Sequence, residues 1–100
     1  MTKNDIIHLL LLNRQKIRGF GAKRLGLFGS FVKDRQTATS DIDLIADFEQ
    51  GKKNYDNFVG LAYYLEELLD RRVELVTSNS LSPYIKPYIE EEVEYITFSS

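Results

Sequence analysis

Two aspartates separated by one residue, Asp41 and Asp43, are the residues of this sequence that most clearly suggest chemistry. They begin a run of alternating polar and apolar residues, 41–48, which predicts a β-strand. Residues two apart on a strand project from the same face, so the Cβ atoms of this pair should lie about 6 to 7 Å apart. Two carboxylates this close repel each other unless one is protonated or a cation lies between them. Oxygen ligands of this kind suit Mg²⁺ or Mn²⁺.

A third carboxylate, Glu74, lies in a short β-branched run, 72–77, which also predicts a strand. Period-two alternation places Glu74 on the face opposite Val73 and Leu75. If this strand lies beside the aspartate strand, Glu74 reaches the same place. Three carboxylates on neighbouring strands are what two divalent ions need in order to bind one phosphate group between them.

A glycine–serine turn, Gly29 and Ser30, precedes the aspartate pair, and its residue types suit phosphate. Glycine has no side chain to keep a phosphate from the backbone, and Ser30 offers a hydroxyl and an amide at the start of a short helix. Lys33 and Arg35 lie within reach and complete a candidate nucleotide-binding set. Each motif alone has a commoner explanation: aspartates keep an edge strand polar, and Gly-Ser makes an ordinary turn. Their combination favours phosphate chemistry.

The spacing of the two motifs carries a resemblance to a known family. Gly29-Ser30, ten residues, and then Asp41-Ile42-Asp43 resembles the G-S-x10-D-x-D signature of the DNA polymerase β-like nucleotidyltransferase superfamily. The wider runs 28–31 and 40–44 most resemble its minimal nucleotidyltransferase branch, the antitoxin half of HEPN/MNT toxin–antitoxin pairs. The resemblance covers nearly the whole chain.

This resemblance implies transfer of AMP from ATP to a hydroxyl, with pyrophosphate as the leaving group. It implies that Gly29 and Ser30 hold the β- and γ-phosphates and that Asp41 and Asp43 ligate two Mg²⁺ ions, with Mn²⁺ as a possible substitute. Glu74 would ligate the catalytic metal and take the proton from the attacking hydroxyl. The branch usually has Asp where this chain has Glu74, and the longer side chain could shift the metal.

The resemblance also implies a protein partner. The acceptor in the family is a tyrosine of a cognate HEPN toxin, a small helical ribonuclease, so we expect a hetero-oligomer with such a toxin. Two other functions stay open on the sequence: an antitoxin that neutralises its toxin by binding alone, and a small-molecule nucleotidyltransferase acting as an oligomer.

The order of the predicted strands and helices indicates an α/β domain, and the resemblance implies the nucleotidyltransferase fold in a single domain, 1–100. We expect a small mixed sheet of three to four strands with helices packed on it. A helical connection between the second and third strands makes them parallel. The predicted helices are 4–18, 55–70 and one within 82–92, and the predicted strands are 25–28, 41–48, 72–77 and 94–98, with a loop at 36–40.

Charge and hydropathy set the expected surroundings of the site. Residues 1–40 hold eight Lys and Arg against two Asp, a net charge of +6, and residues 41–100 hold five against thirteen Asp and Glu, a net charge of −8. We expect a phosphate-facing half and a cation-facing half, with direct nucleic-acid binding unfavourable because the chain is acidic overall. The longest apolar run, 6–12, is far shorter than the roughly 20 residues of a membrane span, which favours a cytoplasmic protein.

Near the C-terminus, the sequence contains a pair of tyrosines and a run of glutamates, and neither indicates a specific function. Tyr84 and Tyr88 have the spacing of a helix stripe, which suits docking and simple packing equally. The acidic run that follows them predicts a solvated helix end; its members are Glu90, Glu91, Glu92 and Glu94.

Overall fold

The computed structural model describes residues 1–98 and contains a mixed four-stranded β-sheet. Its order is β3-β2-β1-β4, with β2 and β3 parallel and β1 antiparallel to both of its neighbours. The predicted fold class and the parallel pairing are therefore confirmed. The first strand begins earlier than predicted. The bounds are β1 Ala22–Phe28, β2 Ile42–Phe48, β3 Val73–Thr77 and β4 Glu94–Thr97.

Within residues 1–98, four α-helices accompany the sheet. The prediction of a single helix over 4–18 is wrong. Two helices occupy that stretch, and the break lies at Asn13. The side-chain amide of Asn13 donates to the carbonyl of Leu9 at 2.9 Å and so competes with regular helical hydrogen bonding. The bounds are α1 Lys3–Leu12, α2 Arg14–Gly19, α3 Tyr55–Leu69 and α4 Lys86–Glu92. None of the helices within residues 1–98 is long and apolar enough to cross a membrane.

Helix α3 begins as the sequence predicts, because Asn54 caps it. The side-chain oxygen of Asn54 accepts from the backbone N–H of Asn57 at 2.8 Å. The apolar stripe of α3 packs with α1 and α2 on one face of the sheet. This core includes Ile6, Leu10, Ile17, Leu25, Leu27, Ile42, Leu44, Leu61, Leu65 and Leu69. Burial of the even-numbered residues of β2 puts its aspartates on the opposite face.

The C-terminal elements bring the end of α4 to the end of β1. Pro87 lies at the start of α4, as its missing N–H requires, and β4 is an edge strand as predicted. The antiparallel register pairs Leu27 with Glu94. Continuing that register by two residues places Glu92 opposite Gly29.

Candidate active site

The carboxylates of β2 and β3 meet because the two strands are parallel and in register. Asp43 is the direct partner of Glu74. Burial raises the pKa of Asp43 to about 6, together with the hydrogen bond to Glu74 and the negative charges of Glu74, Asp41 and Glu92. The repulsion expected between close carboxylates is thus present at Asp43, and it favours the protonated form of this side chain.

Asp41 lies one residue before β2, where its side chain is exposed. With Glu74 it lines an open depression of about 300 Å³, whose wall also includes Glu66, Arg72 and Val73. Among residues 1–98, no three carboxylate or histidine side chains converge closely enough to form a ready-made ion site. Because Asp41 and Glu74 are both exposed, either side chain can rotate toward Asp43 without losing buried contacts.

The glycine–serine turn lies directly against Asp43. Gly29 has φ +80°, in the left-handed region, and a Cβ built on it would overlap the Oδ2 atom of Asp43. The backbone conformation therefore favours glycine here, and a side chain at this position would push the Asp43 carboxylate aside. The turn continues as a short 3-10 helix, Gly29–Phe31, which brings the predicted serine to the same corner.

The two predicted cationic residues follow this turn and are tied to it by their backbones. The N–H of Lys33 donates to the carbonyl of Gly29 at 3.2 Å, and the N–H of Arg35 donates to the carbonyl of Ser30 at 2.8 Å. Both side chains are exposed. The structure therefore ties the backbones of Lys33 and Arg35 to the turn, and the ammonium group of Lys33 pairs with an acidic side chain at 3.0 Å, that of Glu92.

Glu92 is a member of this corner that the sequence did not indicate. Its Oε1 atom accepts from the N–H of Gly29 at 3.1 Å, and its Oε2 atom lies 3.0 Å from the Nζ atom of Lys33. The prediction of a solvated acidic run is wrong for Glu92, whose side chain is only 19% exposed. The only signal for it is the long-range register between β1 and β4, which the sequence does not reveal.

Arg71 is a second residue that the sequence did not indicate, and it holds the loop between the two motifs. Its Nη1 atom donates to the carbonyls of Ala38 at 3.1 Å and Ser40 at 3.2 Å. Its guanidinium also lies 5.4 Å from the centroid of the Phe31 ring. Arg71 thus connects the glycine–serine turn to the segment that leads into Asp41, and it sets the position of one relative to the other.

The other end of β2 carries a differently surrounded aspartate, Asp47. The hydroxyl of Ser78 donates to its Oδ1 atom at 2.6 Å, and the guanidinium of Arg24 donates to Oδ2. Burial would raise the pKa of Asp47, but these hydrogen bonds and the charge of Arg24 lower it overall. Arg24 also stacks on Tyr95, 3.8 Å from the ring centroid. At this end of the sheet, the charge of Asp47 is therefore balanced by Arg24, and both of its carboxylate oxygens accept a hydrogen bond.

Sequence comparisons show the family to which the chain belongs. The model of the nucleotidyltransferase domain family matches residues 11–96. The chain is 35% identical over 97 residues to protein adenylyltransferase MntA of Thermococcus cleftensis, covering 96% of this chain and 97% of the relative. It is 40% identical over 90 residues to MJ0435 of Methanocaldococcus jannaschii, whose adenylyltransferase name is provisional, covering 90% and 88%.

Solved structures show the same fold. A minimal nucleotidyltransferase, again provisionally named, superposes with a TM-score of 0.72 at 28% identity over 94% of this chain and 95% of that one. A chain of a toxin–antitoxin crystal structure with AMP-PNP gives a TM-score of 0.66 at 26% identity, covering 95% of this chain and 72% of the matched chain. The chain therefore belongs to the nucleotidyltransferase domain family, among the minimal protein adenylyltransferases.

Proposed function

We propose that this protein transfers AMP from ATP to a tyrosine hydroxyl of a cognate HEPN toxin and thereby acts as its antitoxin. The observation that carries the proposal is the corner at which Asp43, Glu74 and Gly29 meet, in a chain of the protein adenylyltransferase family. We take residues 1–100 as one minimal nucleotidyltransferase domain; the continuous core beneath the sheet supports this reading.

The nucleotide would bind with its phosphates at the glycine–serine turn. Gly29 and Ser30 are assigned to the β- and γ-phosphates, because a side chain at Gly29 would block the approach to Asp43. Lys33 and Arg35 are assigned to the same phosphates as positive charges at the edge of the turn. Phosphoryl-type transfer depends mainly on positioning and on neutralising charge, which is what this set of donors provides.

Asp41, Asp43 and Glu74 are the residues assigned to the metal. Their donors are all oxygens, and the negative charges of Glu74, Asp41 and Glu92 add to burial in raising the pKa of Asp43. Both features fit Mg²⁺ or Mn²⁺, and we propose two ions. When bound, such ions supply charge neutralisation at the reacting phosphate and at the leaving pyrophosphate.

The transfer step uses few groups of this chain. The partner's hydroxyl oxygen forms a bond to the α-phosphorus of ATP, the bond from that phosphorus to the β-phosphate bridging oxygen breaks, and pyrophosphate leaves. Glu74 is assigned to take the hydroxyl proton. It is exposed at the mouth of the depression, where an acceptor side chain from another protein can reach it.

The partner assignment rests on the relatives and on the exposed surface beside the site. The AMP-PNP structure is of a toxin–antitoxin complex, so a chain of this fold occurs in a toxin–antitoxin crystal structure that also contains an ATP analogue. In this chain Tyr84 and Tyr88 are 85% and 73% exposed, which supports docking over the packing alternative.

Incubation of the protein with its cognate HEPN toxin, Mg²⁺ and ATP tests the proposal by intact-mass spectrometry. We expect additions of about 329 Da per AMP unit to the toxin. The double variant Asp41→Ala, Asp43→Ala should give no addition and should fail to neutralise the toxin in cells. Neutralisation by that variant at full strength would instead establish an antitoxin that works by occlusion.

A further inference from the structure

The carboxylate of Glu92 lies on two groups that the proposed function assigns to the nucleotide's phosphates. Oε1 accepts from the Gly29 N–H at 3.1 Å, and Oε2 pairs with Lys33 Nζ at 3.0 Å. A carboxylate and a phosphate present the same chemistry to such donors, since both are anionic oxygen acceptors. The Gly29 amide has one hydrogen, so it cannot serve Glu92 and a phosphate at full strength together.

The backbone of Glu92 is anchored on both sides, whereas its carboxylate is held by its contacts with Gly29 and Lys33. Ile89, one turn earlier on α4, is 8% exposed, and Val93 packs over Gly26 on β1. Between these anchors the main chain has little room to move. The side chain of glutamate has three torsions, so it can leave the turn by changing rotamer without any change in the fold.

The position of Glu92 in its helix is unfavourable for a negative charge. It is the last residue of α4, where the helix dipole favours cations. It is also held near Asp43, whose pKa it helps to raise. The contacts with Gly29 and Lys33 are what offset these costs in the absence of nucleotide.

We propose that Glu92 is an internal competitor for ATP: its carboxylate occupies the Gly29 amide and the Lys33 ammonium, and ATP binds by displacing it. The inference rests on the proposed function, because it needs the phosphates to bind at this turn. It makes Glu92 a residue that sets the affinity for nucleotide, and it predicts that removing the carboxylate strengthens binding.

The test is the dissociation constant of Mg²⁺-ATP for the full chain, measured by isothermal titration calorimetry. We expect Glu92→Ala to bind ATP about 5- to 10-fold more tightly than the wild-type protein, because one charge-assisted hydrogen bond and one ion pair no longer compete. Glu92→Gln should give a smaller gain, since its amide oxygen can still accept from Gly29. The KM for ATP should fall in parallel without a rise in kcat.

Glu91→Gln is the matched control, because Glu91 is an exposed residue of the same helix. It removes the same charge from α4 and should change ATP affinity less than 2-fold if Glu92 acts through its contacts. In nucleotide-free protein, Glu92→Ala should also shift the amide proton resonance of Gly29 upfield, as expected for a lost hydrogen bond, while Glu91→Gln leaves it in place.

The outcomes separate this inference from the proposed function. If the wild-type protein binds ATP and Glu92→Ala binds it equally or more weakly, Glu92 supports the turn and the competitor role is overturned, while the proposed function stands. If neither the wild-type protein nor any variant binds ATP, the proposed function is overturned, and this inference with it.

Discussion

Asp43 and Asp47 are the same residue type on the same strand and the same face, yet their surroundings are opposite. They are four positions apart along the strand, a distance of about 13 Å. Burial favours the protonated form of both. At Asp43 the neighbours are Glu74, Asp41 and Glu92, and the pKa rises to about 6; at Asp47 the neighbours are Ser78 and Arg24, and the pKa falls.

We propose that this difference separates a structural carboxylate from one that acts on a ligand. Asp47 receives two hydrogen bonds and joins β2 to β1 and to the turn after β3, so its charge stabilises the fold. Asp43 lies among like charges, so its charge costs stability. A protein keeps such a group where the charge is needed by a ligand, and clustered carboxylates with raised pKa values are typical of metal and catalytic sites.

The largest expected contrast is in catalysis. Asp43→Asn should lower the rate of AMP transfer to the toxin by about 10³-fold, because the amide cannot hold a divalent cation or neutralise its charge. Asp47→Asn should leave the rate within about 3-fold of the wild-type value, since it is far from the reacting groups. Single-turnover assays with labelled ATP measure both. Equal losses of transfer rate in the two variants would show that Asp43 has no special part in catalysis.

The same two substitutions should move stability in opposite directions. At pH 7, Asp47→Asn should lower the free energy of unfolding by about 1 kcal/mol through its weakened hydrogen bonds to Arg24 and Ser78. Asp43→Asn should raise it by about 1 kcal/mol, because repulsion is replaced by an amide that donates to Glu74; solvent screening of the half-buried group keeps the gain small. Urea denaturation gives both values, and loss of stability in Asp43→Asn would contradict the account.

The stability contributions of Asp43 and Asp47 should also change in opposite directions with pH. The folded protein holds the proton of Asp43 more tightly than the unfolded chain does, so this stabilisation is complete below about pH 4 and is lost as the pH rises through about 6. The gain in free energy of unfolding of Asp43→Asn over the wild-type protein should therefore grow between pH 4 and pH 6 and stay constant above pH 6. The contribution of Asp47, whose pKa is lowered, is present above about pH 4 and is lost on acidification. Unfolding curves from pH 3 to 8 without metal measure both trends.

Added metal should give the smallest effect. In millimolar Mg²⁺ without nucleotide, the melting temperature of the wild-type protein should rise by about 2 to 4 °C, as expected for a weak ligand of the folded state. Asp47→Asn should show the same rise and Asp43→Asn none. Differential scanning fluorimetry at constant ionic strength is sufficient, with Na⁺ as the control for screening.

Much of this corner follows from local sequence rules. Alternation along β2 places Asp43 on the face opposite the core, and a helical connection makes β2 and β3 parallel, which brings Glu74 to Asp43. The glycine–serine turn is predictable because its residue types fit one backbone conformation. These inferences need only strand periodicity and the usual topology of a strand–helix–strand unit.

The remaining features depend on contacts between distant segments, which local patterns do not encode. Glu92 reaches Gly29 only because β4 pairs with β1 in one register, and a shift of that register would place a different residue there. Arg71 reaches the loop before Asp41 only in the assembled fold. The break at Asn13 comes from a side-chain hydrogen bond that competes with an otherwise helical pattern.

The most direct test is a carboxyl ¹³C NMR titration of Asp43 and Asp47 in the wild-type protein, with and without Mg²⁺. Without metal, the pKa of Asp43 should lie near 6 and that of Asp47 below the ordinary range of an aspartate. With Mg²⁺, the pKa of Asp43 should fall by at least 1 unit while that of Asp47 stays unchanged. An Asp43 that titrates near pH 4 and does not respond to Mg²⁺ would contradict the assignment of this corner as the catalytic metal site.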